Sequence, residues 1–422
     1  MKQSGIDWIG EIPDDWKISK AKTILRNKSI KNHPESEVLS LYRDLGIVPK
    51  NSRDDNHNVT SDDTASYKFV QKGELVLNKM KTWQGSLAVS DYEGIVSPAY
   101  YVCEFINQEI DKKYIHYLLR NKMYAQEFER LSTGLRVGQW DLNIDDFLNT
   151  PIVYPPKKAT QQRIAEYLDS KCAQIDSIIE ESKKSIEENK AWKQSVIFEA
   201  VTGKNLNGKK QDSGIEWIGE IPEGWEVRKI RTIANIIRGG SPRPIDEFMT
   251  NSESGFNWIK IGDTVKGSKY ITSTKAKIIK EGLSKTRIVN PGDLILTNSM
   301  SFGEPYILKI NGCIHDGWVA FSQIIKSVNK EFLYYFLRSS FCNTQFQLQV
   351  DGGVVQNLNI DKIKSTTLFL PPLSEQEAIA KMLDSKCAQI DSLIAEKESL
   401  IADLTEYKKS LIFEVVTGKR SV

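Results

Sequence analysis

Little in this sequence could hold a disulfide framework or a metal. Five of its 422 residues are cysteines, Cys103, Cys172, Cys313, Cys342 and Cys387, an odd number without C-x-x-C spacing. That disfavours a secreted cystine scaffold and a zinc ribbon, and fits a reducing cytoplasm. The four histidines, His33, His57, His116 and His315, are scattered, with no H-E-x-x-H pattern, and read as structural or surface residues. No phosphate-binding loop is present: Thr202-Gly203-Lys204 and Thr417-Gly418-Lys419 lack the glycine six residues before the lysine, and read as helix C-caps. The N-terminal Met-Lys-Gln-Ser-Gly is not a basic-then-apolar leader, and no apolar run approaches the roughly 18 residues a membrane span needs. Charge of one sign is not in excess either, with 57 Lys+Arg against 55 Asp+Glu. Any polyanion would have to be held by local basic patches rather than by a global field.

What is present is a globular composition, 40% hydrophobic and 27% charged, long enough for two or three domains, and an internal repeat. Ser4-Gly-Ile-Asp-Trp-Ile-Gly-Glu-Ile-Pro13 returns as Ser213-Gly-Ile-Glu-Trp-Ile-Gly-Glu-Ile-Pro222. Leu168-Asp-Ser-Lys-Cys-Ala-Gln-Ile-Asp-Ser177 returns unchanged from Leu383, and Ser195 to Lys204 returns almost unchanged from Ser410. Self-similarity of this strength marks a duplicated architecture. The stretches between, roughly 17–157 and 226–372, match only as a skeleton. Val70-Gln-Lys-Gly-Glu-Leu-Val-Leu77 answers Val289-Asn-Pro-Gly-Asp-Leu-Ile-Leu296, each a turn feeding an apolar strand, and Leu142-Asn-Ile-Asp145 answers Leu358-Asn-Ile-Asp361.

Each half closes on a proline pair, Pro155-Pro156 or Pro371-Pro372, followed by a heptad. One seam carries Leu168, Ile175, Ile179 and Ile186; the other carries Leu383, Ile390, Ile394, Ile401, Leu404 and Leu411. Ser182, Asn189, Lys193, Lys397 and Lys408 interrupt the seams, as residues that set register and partner do. The expected fold is α+β: two pseudo-twofold-related globular α/β domains separated by two long antiparallel coiled-coil helices. The expected segments are 1–157, 158–212 (helix and connector), 213–372 and 373–422. With element, domain and helix repeated in that order, an antiparallel helix pair would bring the chain's end back near its beginning.

No nucleophile, acid–base pair or metal constellation is visible. Pro155-Pro156 precedes Lys157, unlike the Asn/Asp-Pro-Pro-aromatic loop with which amino-methyltransferases hold a target base. A two-lobed repeat of this kind is expected to recognise rather than transform. The basic residues cluster at each domain's start: Lys17, Lys20, Lys22, Arg26, Lys28 and Lys31, then Arg228, Lys229, Arg231, Arg238 and Arg243. Strand-end loops are the other candidates. Asn78 to Gly85 carries Lys79, Lys81 and Trp83, and its counterpart Thr297 to Gly303 carries Asn298, Ser299 and Ser301. A second glycine-led pair carries Arg136 and Gln139 in one half and Gln356 in the other. Lysines suit phosphate contact, and amides and hydroxyls suit base edges. Paired loops that diverge on a shared scaffold are what two readers of different sequences would need.

With these residues the chain resembles the DNA-specificity subunit of Type I restriction-modification systems over nearly its whole length. The resemblance rests on the doubled Ser-Gly-x-x-Trp-Ile-Gly-Glu-Ile-Pro-x-x-Trp element ending at Trp16 and Trp225, the Leu370 to Ala380 run, the duplicated helices and the terminal Thr-Gly-Lys. One departure is Gln161-Gln162, standing where the second copy has Glu375-Gln376, with an effect on a helix cap as the expected consequence. The resemblance implies that each domain reads half of an interrupted, asymmetric site in double-stranded DNA. It implies that the helices set the spacing and dock methyltransferase subunits, two copies expected, and that restriction/translocase subunits join them. The chain itself would then carry no cofactor, with S-adenosylmethionine in the adenine-N6 methyltransferase partner and ATP and Mg in the restriction partner. The residues alone leave two other readings open, a coiled-coil scaffold that binds only proteins and a self-contained DNA-modifying enzyme.

Overall fold

The computed structural model describes residues 1–43, 45–52, 64–136, 139–265, 267–298, 303–348 and 358–422, with backbone alone at 135, 136 and 139. They form two compact units, Met1–Lys183 with Glu398–Val422, and Lys184–Lys397. The two long helices, Lys158–Thr202 and Leu373–Val416, each contribute a segment to both units.

In the first unit the central sheet is antiparallel, in the order Leu25–Lys28, Tyr100–Phe105, Leu75–Asn78, Leu87–Val89. The apolar run Leu75-Val-Leu77 buries both its faces. Leu75, Leu77, Leu87 and Cys103 join a core that includes Tyr114, Leu118 and the helix residues Leu168, Ile175 and Leu411. Val76, Ala88 and Val102 face a second core with Leu39, Ile47, Val70 and Val96. Side chains alternate across a strand, so a continuous apolar run is what a doubly covered strand requires. The second unit repeats the device in a five-stranded sheet centred on Leu294–Thr297. Leu294 and Leu296 enter the core shared with the helix residues Ile197, Ala200 and Leu383, and Ile295 enters a core with Trp318, Tyr306 and Leu308. Sheets that are antiparallel in the first unit and mainly so in the second, where Tyr270–Ile271 runs parallel to its neighbour, make each unit α+β with the helices that cover them. The second unit also carries a separate five-stranded sheet that includes Phe256–Ile259 and Gly312–Ile314.

The repeated tryptophan element is a helix-end plug. Ser4 Oγ accepts the Ile6 N–H at 3.1 Å and Ser213 Oγ that of Ile215 at 3.2 Å, closing a tight turn that presents Ile9, Ile12 and Trp16, or Ile218, Ile221 and Trp225, to the core. In the first unit the plug meets Gly418; in the second it meets Gly203. Both glycines have positive φ, +73° and +70°, and a side chain on either would run into Pro13 or Pro222, so conformation and space both demand glycine. The Gly418 end of the chain thus lies against Pro13 and Trp16 near its start.

The repeated Leu-Asn-Ile-Asp is an N-cap: Asn143 accepts from the Asp145 N–H at 2.8 Å and Asn359 from that of Asp361 at 3.2 Å. The helix-start departure needs a correction, because the structure matches Gln161 with Gln376. Gln161 Oε1 accepts the Asp111 N–H at 2.8 Å, and its Nε2 donates to the Pro155 carbonyl at 2.9 Å. Gln376 does the same with Asn329 and Pro371, at 2.8 and 2.7 Å. The departure therefore falls one residue earlier, at Thr160 against Glu375, and Glu375 there accepts from Trp225 Nε1 at 3.0 Å.

Candidate nucleic-acid interface

The two loops singled out in the first half converge. After the strand Leu75–Asn78 the chain turns through Thr82–Gln84, and the Lys79 carbonyl accepts the Leu142 N–H at 2.8 Å. This ties the loop to the hairpin of Thr133–Arg136 and Gln139–Asp141. Lys79 Nζ lies 3.3 Å from the Asp141 carboxylate, and the Trp83 and Trp140 rings meet at 5.2 Å, tilted by 53°. Lys81 is exposed on the same loop. Arg136 and Gln139 oppose each other in the hairpin backbone, and their side chains lie outside the described residues.

The second unit builds the same junction from different side chains. Asn298 follows the central strand, and its carbonyl accepts the Leu358 N–H at 3.0 Å. Ser299, Ser301 and Gln356 lie outside the described residues. Around Asn298 the organising residue is Asp316, which sequence reasoning missed because a single acid beside a histidine carries no pattern. Its main-chain carbonyl accepts from Arg238 Nε at 3.0 Å and Asn298 Nδ2 at 3.2 Å. Its carboxylate accepts from the Ser241 hydroxyl at 2.7 Å and lies 3.6 Å from Arg243. The Ser241 hydrogen bond, outweighing the cost of partial burial, holds the Asp316 carboxyl below the usual carboxylate range. His315, whose Nδ1 accepts the Gly317 N–H at 2.8 Å, is held below its ordinary pKa by burial. A cleft of about 520 Å³ opens beside this hub, lined by Ser241, Arg243, Trp258, Lys260 and His315 among others.

Not every predicted cation is available. Arg26 bonds Glu104 at 2.7 Å, Arg228 bonds Glu226 at 2.8 Å, and Lys28 pairs with the buried Glu74, so part of each basic run serves the sheet. Among the described residues no group of three or more His, Cys, Asp or Glu side chains gathers to hold a metal, and no helix is long and apolar enough to cross a membrane. All five cysteines are buried and free, and burial pushes the thiols of Cys103 and Cys313 up to about 12, far from nucleophilic thiolates.

On the helices, Leu168, Ile175, Ile186, Leu383, Ile390 and Leu411 are buried, whereas Ile179, Ile394, Ile401 and Leu404 are partly exposed. Off the seam, Ile178 and Tyr407 in the first unit and Trp192 and Leu393 in the second are exposed apolar side chains. The repeat was the available signal for them, since Ile178 corresponds to Leu393 and Trp192 to Tyr407.

The model of the Type I restriction modification DNA specificity domain matches residues 13–188 and 222–401. The chain is 27% identical to the Type I restriction enzyme MjaVIII specificity subunit of Methanocaldococcus jannaschii, over 97% of this chain and 93% of that one. It is 23% identical to the EcoKI specificity subunit of Escherichia coli, over 48% and 44%. Among solved structures, a chain of a type I R-M system studied for complex assembly and conformational transition superposes with a TM-score of 0.76 at 15% identity, covering 97% of this chain and 100% of that one. The HsdS subunit from Thermoanaerobacter tengcongensis gives 0.58 at 15% identity, covering all of both chains. Two matched copies spanning most of the sequence, on a fold shared with these subunits, place the chain in the Type I restriction modification DNA specificity domain family.

Proposed function

We propose that this protein is the sequence-reading subunit of a Type I restriction-modification complex, acting in the cytoplasm, with each unit reading one half of an interrupted, asymmetric double-stranded site. The observation that carries the reading is the repeated junction. One backbone hydrogen bond, from Leu142 to Lys79 and from Leu358 to Asn298, anchors the residue that follows the central strand in both units, while the residue types there differ. A shared frame with divergent side chains is the arrangement two half-readings require. Lys79 and Lys81 would engage phosphate, Gln139, Gln356, Ser299 and Ser301 base edges, and Trp83 and Arg136 would add further contacts from the first unit. The partner is an adenine-N6 methyltransferase subunit, in two copies, that supplies S-adenosylmethionine and extrudes the target base; a restriction/translocase subunit supplies ATP and Mg chemistry. The repeated exposed pairs, Ile178 with Tyr407 and Trp192 with Leu393, are the docking points on the helices. The 1–157, 158–212, 213–372 and 373–422 segments are the corresponding functional parts.

Co-expression with the cognate methyltransferase subunit, followed by single-molecule sequencing of adenine methylation, tests this. The expected result is a two-part motif with a fixed gap that disappears when this chain is omitted. Methylation indifferent to this chain would leave the helices as a protein-binding scaffold.

A further inference from the structure

We infer that Arg238 and Arg243, both set by Asp316, are the guanine-reading groups of the second unit. This rests on the function proposed above and says which base that unit selects.

Guanine in the major groove is matched best by a guanidinium whose two donors meet O6 and N7 together, and orienting the fork before the DNA arrives lowers the entropic cost of that contact. Arg238 stands at the end of the strand Asn235–Arg238. Its Nε is engaged by the Asp316 carbonyl at 3.0 Å, and its terminal nitrogens carry the donors a base edge would use. Arg243 approaches the same residue from the other side, one nitrogen 3.6 Å from the carboxylate and its side chain 81% exposed. Asp316 is itself immobilised. Ser241 donates to its carboxylate at 2.7 Å, Asn298 donates to its carbonyl at 3.2 Å, and its own N–H donates to Ser241 Oγ at 3.4 Å. The loop between the arginines is pinned by close backbone approach: a side chain at Gly239 would overlap the His315 carbonyl, and one at Gly240 the Lys285 carbonyl. One fork hydrogen-bonded to Asp316 and a second drawn toward its carboxylate by charge, beside an open cleft with Lys260 exposed on its wall, suit a groove edge. A purely electrostatic phosphate grip would need no such mount.

The test uses the co-expressed complex and the same methylation read-out, with Arg238→Lys, Arg243→Lys, Arg243→Ala and Asp316→Asn. Each arginine variant is expected to reduce discrimination at one G·C pair in one half of the motif by about tenfold to a hundredfold, with the other half unchanged. Asp316→Asn, which keeps the carbonyl but removes the charge facing Arg243, is expected to relax only the position that Arg243→Ala relaxes. The intact half of the motif reports in the same experiment that the variant folded and assembled. A motif unaltered in all four variants overturns the inference. So does rescue by lysine, with alanine lowering methylation evenly at every sequence, since that is the signature of a phosphate contact; so does uniform loss in the lysine variants. A wild-type motif with no G·C pair in one of its halves contradicts it if that half is the one this unit reads, as replacing residues 226–372 with those of a relative would show. A wild-type complex that gives no two-part motif sinks the underlying reading, and this inference with it.

Discussion

Lys193 donates to both carboxylate oxygens of Asp391, at 2.7 and 2.5 Å, from a position only 8% exposed. It is one of the polar interruptions of the first heptad seam, and Asp391 belongs to the second helix. The other unit holds the reciprocal pair, Lys408 with Asp176 at 2.7 and 2.6 Å, so that each helix gives one lysine and one aspartate to the two bridges. A pairing that satisfies a polar seam residue only in one alignment is a register device.

Removing Asp391 by Asp391→Ala should leave the Lys193 ammonium enclosed without its partner and cost about 1–3 kcal/mol. Lys193→Met, similar in volume and uncharged, should be close to neutral. Asp176→Ala should cost less, because the Lys408 side chain is 29% exposed and water can replace the carboxylate. Urea denaturation of the three variants measures the difference; equal losses for Asp391→Ala and Lys193→Met would contradict a register role for the charge.

The buried glutamines join the start of each long helix to its recognition domain. Gln161→Leu should strand the Asp111 N–H and the Pro155 carbonyl and lower stability by roughly 2–3 kcal/mol, with Gln376→Leu matching it in the other unit. Limited proteolysis should show new cleavage near 155–160 in the first variant and near 371–376 in the second.

Lys79→Ala should weaken DNA binding by the methyltransferase complex evenly across sequences and reduce the salt slope by about 0.9. Asp141→Ala, which frees Lys79 from its 3.3 Å partner, should raise affinity at low salt. Titrations at several salt concentrations separate these outcomes from a change in sequence choice, which would argue that Lys79 touches a base.

Burial holds His116 neutral in the fold, with its pKa down to about 3, whereas the unfolded chain protonates it near its ordinary 6.5. Between those values the unfolded state binds more protons, so this contribution is complete above the unfolded pKa and is lost as the pH falls toward the folded one. The limiting slope is about 1.4 kcal/mol per pH unit. His116→Gln retains an acceptor for the Val89 N–H now bonded at 3.2 Å and should flatten the decline between pH 6.5 and 4. Denaturation midpoints for both proteins across that range provide the check.

The heptads, the tryptophan element and the doubly apolar strands were legible because each is a short-range pattern with one physical solution. Identical sequence at Leu168 and Leu383 needs no structure to be recognised as a repeat. Asp316 was not legible, since its value lies in four neighbours drawn from Arg238, Ser241, Arg243 and Asn298. Nor could sequence show that Arg26 is spent on Glu104, its cross-strand partner, or Lys28 on Glu74, because register and sheet order set those neighbours. The misaligned glutamines had a different cause. Carrying the identical repeat back seven residues from Leu168 and Leu383 pairs Gln161 with Gln376, whereas the flanking proline pairs stand one residue out of that register, and the hydrogen bonds of the two glutamines agree with the repeat.

The doubly covered central strand also bears on how such a protein changes over generations. Leu75 and Leu77 belong to the core that contains the helices and the tryptophan plug, while Val76, one peptide away, belongs to a core of the recognition domain alone; Leu294, Leu296 and Ile295 divide in the same way. Mutations that reshape the outer core are thereby insulated from the helix faces proposed above as docking points. Such a lineage can drift in what it reads while remaining interchangeable in what it joins.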